Sequence, residues 1–132
     1  MSVKFSHPKT EESINANIIE SAKSVKYASV QDAIKFAASL PRGAYTAKVD
    51  IKDAFRLLSI YASDLPKLCF KIKNNFYYDR VLLQGCSSSC ALFEKFTAAV
   101  HHIFLYFAPD CKVIHYFDDF LFIAPNYELC LS

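Results

Sequence analysis

Tryptophan is absent from this 132-residue chain, glycine occurs twice and methionine once. With so few glycines, the chain has little room for turns that demand a left-handed backbone, so each glycine position carries information. No apolar run approaches the ~20 residues of a membrane span. The longest, around Ile103 to Ala108, is far too short, so no membrane is expected as a partner. The opening Met1-Ser2-Val3-Lys4-Phe5-Ser6-His7-Pro8 lacks the apolar core of a secretory signal. Charge of one sign is also missing: 15 Lys and Arg against 13 Asp and Glu leave a net charge of +2. Stand-alone nucleic-acid binders carry a stronger basic footprint. A chain that holds metal on carboxylates offsets its own basic residues, however, so a nucleic-acid partner is not excluded. The five cysteines cannot form a closed disulfide framework, and Cys86 and Cys90 lack a second pair or a histidine at zinc-like spacing. Reduced thiols in an intracellular protein, cytoplasmic or nuclear, are expected.

What is present is an apolar fraction of 53% with 12 Phe and 8 Tyr, enough for one domain with a core. There is no internal repeat or low-complexity segment. Residues 1–26 read as a loose, polar N-terminal segment, with Ile14, Ile18 and Ile19 on one side of a short helix, and residues 27–132 as the folded part. Ser29-Val30-Gln31-Asp32 carries a helix-start signature, and Val30, Ala33, Ile34, Ala37 and Ala38 share one helical face. Pro41-Arg42-Gly43 stops that helix, Ala44 to Ile51 reads as a strand, and a short helix is expected from Asp53 to Leu58.

Lys67 to Lys73 and Phe76 to Leu82 alternate as two strands, with Asn74-Asn75 as their turn. Leu92, Phe93, Phe96, Val100, Ile103 and Phe107 recur at three- and four-residue steps, which predicts a long helix from Ser87 to Phe107 capped by Ser87 or Ser88. His101 and His102 read as its surface. Val113 to Phe117 and Phe120 to Ala124 are the last two strands. The order helix, strand, hairpin, helix, hairpin implies an α+β layer arrangement.

Asp118 and Asp119 interrupt the most β-prone run of the chain, His115-Tyr116-Phe117-Asp118-Asp119-Phe120-Leu121-Phe122-Ile123. Two readings stand side by side: a hairpin tip with two solvated aspartates, or two carboxylates held at a turn to bind a divalent cation. Mg²⁺ prefers hard oxygen ligands and takes one or two carboxylates plus substrate phosphates. A third acid would have to come from another strand. Asp50, at the end of the strand beginning at Ala44, qualifies, although Asp at a strand-to-helix junction also serves as an N-cap.

In combination these residues resemble a known family. Val49-Asp50-Ile51-Lys52-Asp53-Ala54-Phe55-Arg56 resembles motif A of reverse transcriptases. Leu83-Gln84-Gly85-Cys86-Ser87-Ser88-Ser89-Cys90-Ala91 resembles motif B, and Tyr116-Phe117-Asp118-Asp119 resembles motif C, the Y-x-D-D box. The three motifs stand in the family's order, and the resemblance runs from about Ile14 to Pro125. The Asp-Ala-Phe-Arg continuation and the Ser-rich motif B look most like retrotransposons of the DIRS-like or gypsy-like kind.

The resemblance implies an α+β polymerase palm, an antiparallel sheet with a catalytic hairpin packed on helices. It implies an RNA-directed DNA polymerase that joins dNTPs to a primer 3′-hydroxyl on an RNA or DNA template. Asp50, Asp118 and Asp119 would be catalytic and, with Ile51, would hold two Mg²⁺ ions about 4 Å apart, with Mn²⁺ as a substitute. Asp53, Ala54, Phe55, Gln84 and Gly85 would bind the nucleotide, with Phe55 as the steric gate that excludes a 2′-hydroxyl. Tyr116, Phe117 and Arg56 would meet primer and template. A plain core role for Phe55, Tyr116 and Phe117, and an acid partner for Arg56, remain open on the residues alone.

The family's prolines on either side of motif B are replaced by Leu83 and Cys90. The resemblance also implies that residues 1–26 are a remnant of the fingers and that the palm is truncated, with thumb and RNase H segments as missing partners. The alternative is a catalytically inactive retrotransposon remnant that acts as an interaction module or has no function. Self-association through uncovered apolar surface is expected in either case.

Overall fold

The computed structural model describes residues 13–131. Of the N-terminal segment 1–26 expected to be loose, residues 1–12 lie outside the described residues, and the remainder holds one short 3₁₀ segment, Glu20–Ala22. Contacts gather into two compact units: residues 13–24 with 53–93, and residues 25–52 with 94–131.

In the second unit, α1 (Val30–Ala38) opens on Ser29, whose hydroxyl accepts from the Asp32 N–H while the Asp32 carboxylate accepts from the Ser29 N–H at 2.9 Å. This is the reciprocal capping box expected from the sequence. The chain then forms β1 (Tyr45–Asp50). The hairpin strands β4 (Lys112–Tyr116) and β5 (Asp119–Ala124) follow the long helix α2 (Ser89–Phe107). β5 is central in an antiparallel sheet of order β1-β5-β4. Phe120, Ile123 and Ala124 of β5 and Val113 and Ile114 of β4 are buried. Phe104 of α2 sets its ring edge-on to Phe120 and Phe122 at 5.2 and 5.0 Å, which pins one face of the sheet to the helix. A short α3 (Tyr127–Leu131), not expected from the sequence, packs on β1 and β5.

In the first unit, a second antiparallel hairpin is formed by β2 (Phe70–Ile72) and β3 (Asn75–Tyr77). It is shorter than the alternation predicted, and its turn is shifted by one residue. Ile72 pairs with Asn75, so the loop is Lys73-Asn74 rather than Asn74-Asn75. Lys67 and Leu68 belong instead to a 3₁₀ segment, Ala62–Leu68, which carries Pro66. A proline lacks the N–H a strand ladder needs, and it was the overlooked signal. Tyr78 to Leu82 forms no ladder strand; Val81 makes one isolated bridge to Ser59. The helix expected over Asp53 to Leu58 is a single 3₁₀ segment, Ala54–Leu57, entered through Asp53 at φ 59°. Helix α2 begins two residues later than predicted. Ser87 does not cap it: its hydroxyl is buried with no hydrogen-bond partner among the described residues, and the Ser88 hydroxyl faces Cys86 Sγ at 3.4 Å.

Architecturally the chain is α+β, with antiparallel sheets and helices, as the order of elements implied. Among the described residues no helix is long and apolar enough to cross a membrane, and the cysteines are free thiols.

Candidate active site

The three acids meet at one end of the sheet β1-β5-β4. Tyr116 pairs with Asp119 across the β4–β5 hairpin, so Phe117 and Asp118 are its two loop residues and Asp119 is already the first residue of β5. The expected tip of two aspartates is therefore offset by one. On the other edge of β5, Asp50 is the register partner of Asp119. The Ile51 N–H extends this ladder by donating to the Asp118 carbonyl at 2.9 Å. Directly paired antiparallel residues have Cα atoms roughly 4.5–5.5 Å apart and side chains on one face. Asp50 and Asp119 thus share a face, with Asp118 adjacent on the turn.

Like charges placed opposite each other repel, and a cation answers them here. Lys48, two residues before Asp50 and on the same face, sets its Nζ 2.9 Å from Asp119 Oδ1. The hydrogen bond to Asp119 raises the Lys48 pKa most, followed by the charge of Asp119 and then those of Asp50 and Asp118. All three carboxylates therefore act on one ammonium. Among the described residues, no group of three or more His, Cys, Asp and Glu side chains stands ready as a metal cage. The donor chemistry nonetheless fits a hard divalent cation: three carboxylates stand at one end of the sheet, and such an ion prefers oxygen ligands.

The turn itself is unusual. Phe117 has φ 55°, whereas Asp118 has no positive φ. A positive φ at the first position of a two-residue hairpin loop normally belongs to glycine, asparagine or aspartate. For a bulky residue it costs about 1–3 kcal/mol and persists only where neighbours enforce it. Tyr27 is such a neighbour, with its ring centroid 4.5 Å from Phe117 and 5.0 Å from Tyr116. Tyr27 had no role in the sequence reading. A lone aromatic just before a helix start was the available signal. A cleft of about 550 Å³ in the same unit is lined by Ala28, Val30, Ala33, Ile114, Tyr116 and Leu121, together with Lys48 and Asp119.

The remaining expected site residues lie in the first unit. Asp53 and Ala54 both have positive φ, 59° and 23°, and the Asp53 carbonyl accepts from the Arg56 N–H at 2.7 Å. The Phe55 ring lies 4.8 Å from that of fully buried Phe93, so it has a packing role. Arg56 is exposed and forms no ion pair among the described residues. Backbone bonds from Leu82 to Leu58 and from Ile60 to Arg80 join the segment after motif A to the one before motif B.

Gln84 and Gly85 are exposed, and Gly85 has φ 93°, a conformation that only glycine adopts readily. Asn15 clamps this loop: its Nδ2 donates to the Gly85 carbonyl at 3.0 Å and its Oδ1 accepts from the Ser87 N–H at 2.8 Å. Asn15 was another residue the sequence reading missed, because its partners are about seventy positions away.

His101 is not the plain helix surface that its place in the helix implies, but a half-buried partner of the sheet. Its Nδ1 lies 2.6 Å from His115 Nδ1, and His115 Nε2 lies 2.9 Å from Glu94 Oε1. Burial, then the neighbouring His115, lowers the His101 pKa. His102 is exposed, as expected.

Comparison with known proteins identifies the family. The chain is 27% identical over 111 residues to a Gag-Pro-Pol polyprotein of squirrel monkey retrovirus, covering 79% of this chain and 6% of that polyprotein. It is 29% identical over 99 residues to the corresponding polyprotein of sheep pulmonary adenomatosis virus (70% and 6%), and 25% over 118 residues to that of Mason-Pfizer monkey virus (84% and 7%). The chain thus spans less than a tenth of the length of these relatives. The family model described as reverse transcriptase (RNA-dependent DNA polymerase) matches residues 6–131. With nearly its whole length matched, the chain belongs to the reverse transcriptase family.

Proposed function

We propose that the chain is palm sequence of an RNA-directed DNA polymerase, and that Asp50, Asp118 and Asp119 hold the divalent cations of template-directed nucleotidyl transfer. The observation that carries this is the register Asp50↔Asp119 with Asp118 beside Asp119 on the β4–β5 turn. It gathers acids from two distant motifs at the end of a stiff sheet. Two Mg²⁺ ions held there would neutralise the triphosphate and favour ionisation of the primer hydroxyl. Phosphoryl transfer of this kind needs little covalent chemistry from the protein; positioning and charge stabilisation dominate.

The chain's own residues supply that positioning. The ladder bond from Ile51 to Asp118 fixes the separation of motif A from the turn. The aromatic packing of Tyr27 on Tyr116 and Phe117 holds the turn in its costly conformation. By their places in motifs A and B, Asp53, Ala54, Gln84 and Gly85 would receive the nucleotide, and Phe55 would exclude a 2′-hydroxyl. Tyr116, Phe117 and Arg56 would face primer and template. The Asp-Ala-Phe-Arg continuation and the Ser-rich motif B support a retrotransposon source of the DIRS-like or gypsy-like kind.

The test is Mg²⁺- or Mn²⁺-dependent extension of a primer on an RNA template, run beside Mn²⁺ binding, with Asp118→Asn as control. Extension lost in the variant by at least about a hundredfold is the expected result, the scale on which a preorganised electrostatic group acts. Mn²⁺ binding that depends on Asp118 without extension would identify a metal-holding remnant. Mn²⁺ binding indifferent to Asp118 would remove the site altogether.

A further inference from the structure

The proposed chemistry needs acids and cations, and gives no role to the ammonium among them. Lys48 is the register partner of Leu121, yet its side chain reaches diagonally to Asp119, the partner of Asp50, and bonds it at 2.9 Å. Its side chain is 65% exposed, and it is drawn by Asp50 and Asp118 as well as by Asp119. An exposed lysine is free to stay in water. Holding it against a carboxylate costs side-chain entropy, which a solvated pair recovers only in part. The three-acid cluster supplies the additional attraction.

We propose that Lys48 is a positioning residue: a resident counter-cation that ties Asp119 back along β1 and competes with divalent ions for the acid cluster. The inference rests on reading the three acids as a cation site, and it deepens that reading by assigning unequal roles within it. Asp119 is engaged by the chain itself, so Asp50 and Asp118 are the acids left for a cation to recruit first. Lys48 also reduces the cluster's net charge by one, which stabilises the sheet end when no cation is bound. The divalent affinity of the free protein is thereby held down, and tight coordination waits for the phosphates that complete the shell.

The experiment is a Mn²⁺ titration of the full chain without nucleotide or nucleic acid, at low ionic strength, with free Mn²⁺ read by electron paramagnetic resonance. The proteins are wild type, Lys48→Met, Lys48→Arg and Asp118→Asn. Removing one unit charge ~5 Å from a divalent ion in a water-exposed setting predicts roughly tenfold tighter binding by Lys48→Met. Salt should narrow the difference. Lys48→Arg keeps the charge and should bind like wild type.

Thermal unfolding gives the second readout. Without cation, Lys48→Met should melt below wild type, and saturating Mn²⁺ should raise its midpoint more, because only the folded state binds the ion. A lysine that merely supports the fold would lower stability and Mn²⁺ affinity together. Unchanged or weaker Mn²⁺ binding by Lys48→Met, with wild-type binding still dependent on Asp118, overturns the role of Lys48 and leaves the cation site standing. Equal binding by wild type and Asp118→Asn, or none by any of the four proteins, overturns both.

Discussion

The hairpin β4–β5 turns on Phe117 and Asp118, and the hairpin β2–β3 turns on Lys73 and Asn74. In both, the first loop residue is not glycine and has positive φ, 55° for Phe117 and 53° for Lys73. The sign of φ is the same, but the surroundings differ. β4–β5 carries fully buried Phe120 and Ile123, has β1 along its other edge, and has Tyr27 stacked against its turn. β2–β3 is three residues a side, with Phe76 70% exposed and with the Phe70–Tyr77 ring pair and Lys71 over the Phe76 ring as side-chain contacts across it. The left-handed residue is thus packed against by a distant aromatic in one hairpin and stands on a short, solvent-exposed ribbon in the other. Strain that packing enforces marks a position held for a purpose. The acids stand at that turn.

Cutting the support from the first hairpin gives the largest effect. Phe120→Ala removes a side chain that is 0% exposed and touches Phe104, and it should cost about 3–5 kcal/mol in urea unfolding. Phe76→Ala on the second hairpin should change stability by less than about 0.5 kcal/mol. Equal losses at the two positions would mean that both hairpins are anchored alike.

Acidification is a gentler probe of the first hairpin's support. His101 Nδ1 and His115 Nδ1 are hydrogen-bonded at 2.6 Å, and His115 Nε2 lies 2.9 Å from Glu94 Oε1, which ties α2 to β4. Lys26, Asp32 and Lys112 line the same cleft, and His102 adds its charge to that of His115 in opposing protonation of His101. Burial holds the His101 pKa below its ordinary 6.5, so the unfolded chain takes up its proton first as pH falls. Stability from this group is full above pH 6.5 and is lost as pH drops through 6.5 toward the lower folded value. Midpoints measured between pH 8 and 5 should fall, and His101→Gln should flatten that part of the profile. A profile unaltered by the substitution would assign the acid sensitivity to other groups.

The unequal support of the hairpins also explains what could be read from the sequence. The chain order, the Ser29–Asp32 box, β1, the long helix and the acids at the end of the sheet were legible, because each is written in local chemistry or strict periodicity. The β2–β3 register was not. Asn74-Asn75 offered a turn of good local chemistry, but pairing Ile72 with Asn75 placed Lys73 in the left-handed position instead. Alternation over a few residues fixes a strand's faces but leaves its turn free to slide. The same shift by one occurred at Asp118-Asp119, where the β5 ladder claimed Asp119. Asn15, Tyr27 and the His101–His115 contact escaped notice because their roles exist only across long sequence distances.

The smallest effect tests the comparison most directly, because one substitution should carry opposite signs in the two turns. Lys73→Gly relieves the left-handed strain and removes only an exposed side chain. After the entropic cost of glycine in the unfolded chain, it should stabilise by about 0.5 kcal/mol. Phe117→Gly relieves the same strain but deletes ring contacts to Tyr27 and Tyr116, each worth about 0.5–1.5 kcal/mol beyond burial, so it should destabilise by roughly 1 kcal/mol. Chemical denaturation of the two variants side by side reads the difference. If both stabilise, the aromatic stack does not hold the turn, and the conformation of Phe117 is a local accident of the loop like that of Lys73. If only Lys73→Gly stabilises, the strain beside the acids is maintained by the fold around it, and Tyr27→Ala should then loosen the same turn without touching an acid.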